Sequence, residues 1–103
     1  MSIRSIDVPA GAVVPYEFDG AEYVVWRDRS GTLGAVARTC PHLDWDLAEG
    51  YIDGDELVCA GHGWSFDRFG RACKRNLAGR ADPKDDVVAL TLVEVDGEVR
   101  PAR

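Results

Sequence analysis

Two short segments of the 103-residue chain contain both of its histidines and two of its three cysteines. The first segment reads Cys40-Pro41-His42, and the second, after sixteen intervening residues, reads Cys59-Ala60-Gly61-His62. Each segment offers one soft thiolate and one imidazole, which are side chains that transition metals take as ligands in proteins. The pattern therefore predicts a metal centre whose four ligands are Cys40, His42, Cys59 and His62.

Two kinds of metal centre accept two cysteines and two histidines. A structural zinc ion binds such a set tetrahedrally, although the common zinc-finger spacing pairs cysteine with cysteine and histidine with histidine. A [2Fe–2S] cluster can instead take both cysteines on one iron and both histidines on the other, which raises its reduction potential. Each segment would then bridge the two irons, as the mixed pairing here suggests. Both centres remain open on spacing alone.

The elements that must position these segments are short strands. Turn signals, mostly Asp-Gly, separate runs rich in β-branched and aromatic residues, which is typical of hairpins. The predicted strands are Val13–Phe18, Glu22–Arg27, Leu33–Arg38, Glu56–Cys59, Val87–Val95 and Glu98–Arg100. Their alternation is partial, as expected where strands are buried on both faces. The best helical candidate is a single turn around 46–49.

The fold class that follows is all-β, a small hairpin-rich sandwich of stacked antiparallel sheets. A chain of this length predicts one domain over residues 1–103. The first residues contain no apolar stretch of signal-peptide length, and no window approaches the roughly 20 apolar residues that cross a bilayer, so we expect a cytoplasmic protein without a membrane partner. An odd cysteine count without a secretion signal also disfavours a disulfide framework.

Charge is unevenly distributed along the chain. The net charge is −6, which argues against nucleic acid as a partner because phosphate binding needs a basic face. Residues 44–67 carry −7 with no basic side chain, whereas residues 68–84 carry +5. These blocks are either solvated loops or a polarised face that docks a charged protein.

With the stretch Gly63-Trp64-Ser65-Phe66-Asp67 after the second segment, the chain resembles Rieske-type [2Fe–2S] proteins of the kind associated with bacterial oxygenases. The resemblance implies stacked antiparallel sheets with two cluster-binding loops. It also implies that Cys40 and Cys59 hold the inner iron as thiolates. His42 and His62 would hold the outer iron through Nδ1, with their Nε2 edges near the surface.

Departures from the pattern of the respiratory-complex branch indicate a subtype. That branch has a disulfide between its loops, and its cysteines would align with Trp45 and Gly61, so this clamp is absent. It also has hydroxyl donors to the cluster where this chain has Trp64 and Phe66. Because fewer hydrogen bonds reach the sulfurs, we predict a potential toward the low end of the Rieske range. Cys73 is expected to be a small buried residue or spare thiol, not a ligand.

The function that the resemblance implies is one-electron transfer from a flavoprotein reductase to a terminal oxygenase. Both irons would be saturated with ligands, so we expect no enzymatic activity and no small-molecule substrate. Two alternatives stay open: a small Rieske subunit bound tightly to a larger oxidoreductase, and a zinc-binding interaction module. A mononuclear iron site would need the histidines that the cluster already uses.

Overall fold

Short antiparallel strands form nearly all the regular structure in the computed structural model, which describes residues 3–39, 46–59, 64–75, 81–84 and 88–102. For 72–75 and 81–84 it describes the backbone alone. The strands within these ranges are β1 (Ile3–Arg4), β2 (Val13–Phe18), β3 (Ala21–Arg27), β4 (Leu33–Ala37), β5 (Tyr51–Asp53), β6 (Glu56–Val58), β7 (Trp64–Phe66), β8 (Ala72–Arg75), β9 (Ala81–Lys84), β10 (Leu92–Val95) and β11 (Glu98–Pro101). Two single-turn 3₁₀ helices, η1 (Ser5–Asp7) and η2 (Leu47–Glu49), complete the description.

The strands form three antiparallel sheets. The terminal sheet has the order β1-β11-β10, the central sheet β2-β3-β4, and the five-stranded sheet β5-β6-β7-β8-β9. Apart from the pairing of β1 with β11, every pairing joins strands consecutive in the chain, so the sheets are built from hairpins. The predicted all-β class of stacked antiparallel sheets is therefore confirmed.

The central sheet is covered on both faces, which explains its incomplete alternation. Val24 and Trp26 of β3 enter one buried cluster with Leu57 and Phe66 of the five-stranded sheet. Val25, between them, enters a second cluster against which residues of the terminal sheet pack. Because neighbouring side chains in a strand point to opposite faces, consecutive apolar residues are required where both faces are dry.

Asp-Gly turns close two of the hairpins as predicted. Asp19 and Gly20 have φ of 53° and 79°, and Asp96 and Gly97 have φ of 52° and 79°. Two successive residues with positive φ match the twist of a tight two-residue hairpin, and aspartate and glycine tolerate that conformation. The predicted helical turn is also present, since η2 occupies Leu47–Glu49.

The predicted strand Val87–Val95 is wrong as a single element. Residues 88–90 run along β4, where Ala89 bridges Val36 and the Leu90 amide donates to the Ala35 carbonyl at 3.0 Å. A new strand, β10, begins at Leu92 and pairs with β11 in the terminal sheet. The segment changes sheets midway, which its continuous apolar pattern could not reveal; Val87 itself lies outside the described residues.

The strands β1, β5, β7, β8 and β9 were not predicted from the sequence. Each has two to four residues, and several are polar, so sheet pairing rather than intrinsic propensity defines them. None of the helices in the described ranges is long and apolar enough to span a bilayer.

Candidate metal centre

Of the four predicted ligands, the described residues include Cys59. Cys40, His42 and His62 lie outside them, in the segments 40–45 and 60–63. We call residues 40–45 the first loop and residues 60–63 the second loop. The residues on either side of each loop are described, and they show how each loop is closed at its base.

The second loop connects two strands of one hairpin. Leu57 pairs with Phe66 and Val58 pairs with Ser65 across β6 and β7. Beyond the last pair, the Cys59 amide donates to the Trp64 carbonyl at 2.7 Å. The backbone ladder thus continues to the residue before the loop, and four residues bridge its end.

Cys59 itself is almost completely buried, with 2% of its surface exposed. It belongs to the cluster that includes Leu47, Leu57, Trp64 and Phe66. This environment fits a thiolate ligand of a [2Fe–2S] cluster, because an oxidised cluster with two thiolates and two neutral imidazoles has no net charge. A neutral group avoids the large cost of burying an isolated ion in an apolar core.

The first loop is closed differently. Thr39 and Asp46 form an isolated antiparallel bridge across its base, and the Leu47 amide donates to the Arg38 carbonyl at 2.7 Å. On one side, β4 has already ended at Ala37; on the other, β5 begins only at Tyr51 and belongs to a different sheet. No continuous ladder in the described residues therefore crosses the base of this loop.

A two-pronged ion pair supplements that bridge. The Arg38 guanidinium donates from Nε to Asp46 Oδ1 and from Nη2 to Asp46 Oδ2, each at 2.9 Å. Asp46 Oδ1 also accepts from the Ala48 amide at 3.0 Å, which caps η2. Mainly through these hydrogen bonds, Arg38 holds the pKa of Asp46 below its usual value, and Asp46 raises the pKa of Arg38.

The bases of the two loops share one packing unit. Leu47, which follows the first loop, and Cys59, which precedes the second, lie in the same buried cluster. Gly50 completes the connection, since a Cβ atom at this position would collide with the Val58 carbonyl oxygen and lie 3.1 Å from the Leu47 carbonyl oxygen. The structure therefore brings together the bases of both predicted ligand loops.

The charged turns of the five-stranded sheet lie at its other end. Asp53 and Asp55 flank Gly54 in the β5–β6 turn, and Arg68 and Phe69 form the β7–β8 turn. Antiparallel strands place these turns opposite the second loop. These charged turns thus lie at the end of the sheet away from Cys59, whereas the backbone of Lys74 in β8 pairs with Trp64 next to the second loop, which the charge blocks alone did not predict.

Sequence reasoning missed the parts played by Arg38, Asp46 and Gly50. A signal was present, because an arginine precedes Cys40 by two residues and an aspartate follows His42 by four. That spacing matches neither a helix nor a regular hairpin, so it carried no structural meaning before the loop bases were known. Cys73 lies in regular strand β8, its backbone opposite Ser65, and its role stays a prediction.

Comparison with known proteins identifies the family to which these loops belong. Residues 1–90 match the Rieske [2Fe–2S] domain family. Over 73 residues the chain is 37% identical to the 5,5'-dehydrodivanillate O-demethylase oxygenase subunit of Sphingobium sp. (strain NBRC 103272 / SYK-6), an alignment that covers 71% of this chain and 17% of that protein. The chain spans between 13 and 20% of the length of the first curated relatives it matches.

Two solved structures share the fold over nearly their whole length. The ferredoxin of carbazole 1,9a-dioxygenase from Nocardioides aromaticivorans IC177 superposes with a TM-score of 0.74 at 25% identity, covering 96% of this chain and 94% of that one. A chain in the complex of reduced oxygenase and oxidized ferredoxin in carbazole 1,9a-dioxygenase gives a TM-score of 0.69 at 22% identity, covering 95% and 86%. The chain belongs to the Rieske [2Fe–2S] domain family, and its cofactor is a Rieske-type [2Fe–2S] cluster.

Proposed function

We propose that Cys40, His42, Cys59 and His62 hold the cluster, two ligands from each loop. The buried position of Cys59 at the end of a closed hairpin supports this ligand set. So does the shared core that joins the bases of both loops. When bound, the cluster supplies a one-electron redox couple. The chain would contribute its thiolates and imidazoles and keep water from the buried side.

The protein would act as a one-electron carrier between a flavoprotein reductase and a terminal oxygenase. The observation that carries this proposal is the superposition on a dioxygenase ferredoxin, which spans 94% of that ferredoxin. A second neighbour is a chain from a complex of an oxygenase with its ferredoxin, which supports an oxygenase as the acceptor. With four protein ligands on two irons no open position remains, so the domain would move electrons without acting on a substrate. A single domain over 1–103 and a cytoplasmic location are parts of the same proposal.

A second candidate function is that of a Rieske domain that works permanently attached to, or tightly bound by, a larger oxidoreductase. It is favoured by the curated relatives, in which the matching region is only 13 to 20% of the protein. Sedimentation and electron exchange in trans distinguish the two functions. A stable monomer that reduces an added oxygenase supports the carrier, whereas obligate co-purification with a large subunit supports the bound domain.

The decisive experiment on the ligand set is low-temperature EPR of the dithionite-reduced protein, with iron and acid-labile sulfide counted. We expect two irons and two sulfides per chain and an average g value below that of all-thiolate clusters, because two imidazoles replace two thiolates. An all-thiolate g value, or no signal, contradicts histidine ligation. A colourless protein containing zinc would support the interaction module instead.

The reduction potential provides a second test. Trp64 and Phe66 are buried beside Cys59, with 9% and 0% of their surfaces exposed. They occupy the two positions at which the respiratory-complex branch has hydroxyl donors to the cluster. Without those donors the added negative charge is stabilised less, so we expect a midpoint toward the low end of the Rieske range. A redox titration that gives a strongly positive midpoint would contradict this expectation.

A further inference from the structure

The base of the first loop depends on one pair of side chains. Arg38 and Asp46 lie on opposite sides of the loop and meet through two charge-assisted hydrogen bonds of 2.9 Å. We propose that Arg38 and Asp46 are positioning residues for the cluster, which hold together the two ends of the first loop, the segment that contains Cys40 and His42. This inference rests on the ligand set proposed above.

The side chains of Arg38 and Asp46 matter because few backbone hydrogen bonds join the two ends of the first loop. The Thr39–Asp46 bridge is a single residue pair outside any strand, unlike the ladder that leads into the second loop. A fork of two parallel hydrogen bonds fixes both distance and orientation, which a single point contact does not. Asp46 therefore joins three features: the far side of the loop, the bridge, and the cap of η2 through the Ala48 amide.

The pair is also attached to the central sheet. The Arg38 amide donates to the Glu22 carbonyl at 3.1 Å, and the Arg38 guanidinium lies 3.5 Å from the Glu22 carboxylate. Glu22 belongs to β3, so Arg38 is bound to the central sheet at the same time as it hydrogen-bonds to Asp46. The first loop would consequently be positioned relative to the central sheet, and the second relative to the five-stranded sheet.

A positional role and a purely electrostatic role make opposite predictions for a charge-neutral double variant. Arg38→Gln and Asp46→Asn each break the fork, and their charge effects on the cluster oppose each other and largely cancel in the double variant. The side-chain carbonyl that Asp46→Asn introduces can still accept from the Ala48 amide, so the cap of η2 is retained. If the pair acts by position, the second substitution adds little to the first, because the fork is already broken.

The experiment measures midpoint potential, the rate of cluster loss in air, and amide exchange of the peptides that flank the first loop. We expect the double variant to lose the cluster several-fold faster than the wild type, with a shifted midpoint and faster exchange around residues 38–49. Exchange in the β6–β7 hairpin should be unchanged. Arg38→Lys, which keeps the charge but lacks the fork, should give an intermediate rate of loss.

The matched control is the other forked pair, in which Arg27 donates to both carboxylate oxygens of Glu94 at 3.2 and 2.7 Å. Arg27→Gln with Glu94→Gln should leave the midpoint and the rate of cluster loss at wild-type values. Equal effects from both double variants, or wild-type behaviour of the Arg38 and Asp46 double variant, would overturn the proposal. A wild-type protein without a histidine-ligated EPR signal would instead refute the ligand set, and the inference with it.

Discussion

The two loops that supply the proposed ligands are closed by different physical means. The second loop extends a hairpin whose backbone pairing continues to Cys59 and Trp64, both buried in the main core. The first loop lies between strands of two different sheets and is closed by one isolated bridge and an ion pair between side chains that are 31% and 38% exposed. The ends of the second loop are therefore fixed by backbone pairing and the core, and those of the first loop by one bridge and a partly exposed ion pair.

This difference indicates which of the two loops is sensitive to salt and to substitutions and which is not. Backbone hydrogen bonds inside a buried hairpin are insensitive to salt and to most side-chain changes. A surface ion pair weakens with ionic strength and with the loss of either partner. We therefore expect perturbations of solvent and sequence to act on the first loop before they act on the second.

The largest expected effect comes from removing one ligand from the second loop. His62→Ala should abolish or severely destabilise the cluster, because the hairpin cannot replace a missing donor. Visible absorption and iron content after purification provide the measurement. The control is Cys73→Ser in β8, which should keep the visible spectrum; bleaching by that variant would mean that the ligand assignment is wrong.

A smaller effect is expected where the loop bases meet. Gly50→Ala places a methyl group against the Val58 and Leu47 carbonyls, and such overpacking costs about 1–3 kcal/mol. Urea unfolding should show this loss of stability. A redox titration should show a shifted midpoint potential, because the bases of both loops must move apart.

Gly54→Ala is the matched comparison for that variant. Its φ of +64° makes alanine strained, yet no atom of the described residues lies within 4 Å of the added Cβ. We expect reduced stability with an unchanged midpoint, since this turn lies at the far end of the sheet. If Gly50→Ala and Gly54→Ala move the potential equally, the shared base does not position the loops.

Acid should remove the difference between the wild type and Asp46→Asn. Arg38 lowers the pKa of Asp46 in the folded protein below its ordinary value of 3.8, so the ionised carboxylate stabilises the fold at pH values above 3.8. That contribution disappears as the pH falls through the lowered pKa. At pH 7 Asp46→Asn should lose its cluster faster than the wild type. The bleaching rates of the two proteins, measured by stopped flow, should become equal only below about pH 4. Convergence already near pH 6 would contradict the assignment.

The smallest effect is expected at the charged turns. Four residues, three of them in a strand, separate Asp55 or Arg68 from the second loop, roughly 15 Å, which exceeds the screening length of roughly 8 Å at physiological salt. Asp55→Asn and Arg68→Gln should change the rate of electron exchange with a terminal oxygenase by less than about twofold. A large, salt-dependent change would instead make this end of the molecule a docking face.

Much of the fold could be predicted because its signals are local. The Asp-Gly turns and the runs at β2, β3 and β4 need only backbone preference and short-range alternation. The strand β10 could not be delimited, because residues 88–95 pair first with one sheet and then with another. The short strands β5, β7, β8 and β9 likewise exist only because neighbours supply their hydrogen bonds.

The site divides in the same way. Ligand types and spacing are properties of the chain, so Cys40, His42, Cys59 and His62 could be proposed as a set from the sequence alone. Family membership followed from the same residues, and the match over residues 1–90 confirmed it. The Arg38–Asp46 fork and the close approach of Gly50 to the Val58 carbonyl involve residues outside the strands. Only the tertiary structure could decide them, because contacts of irregular segments leave no periodic pattern in the sequence.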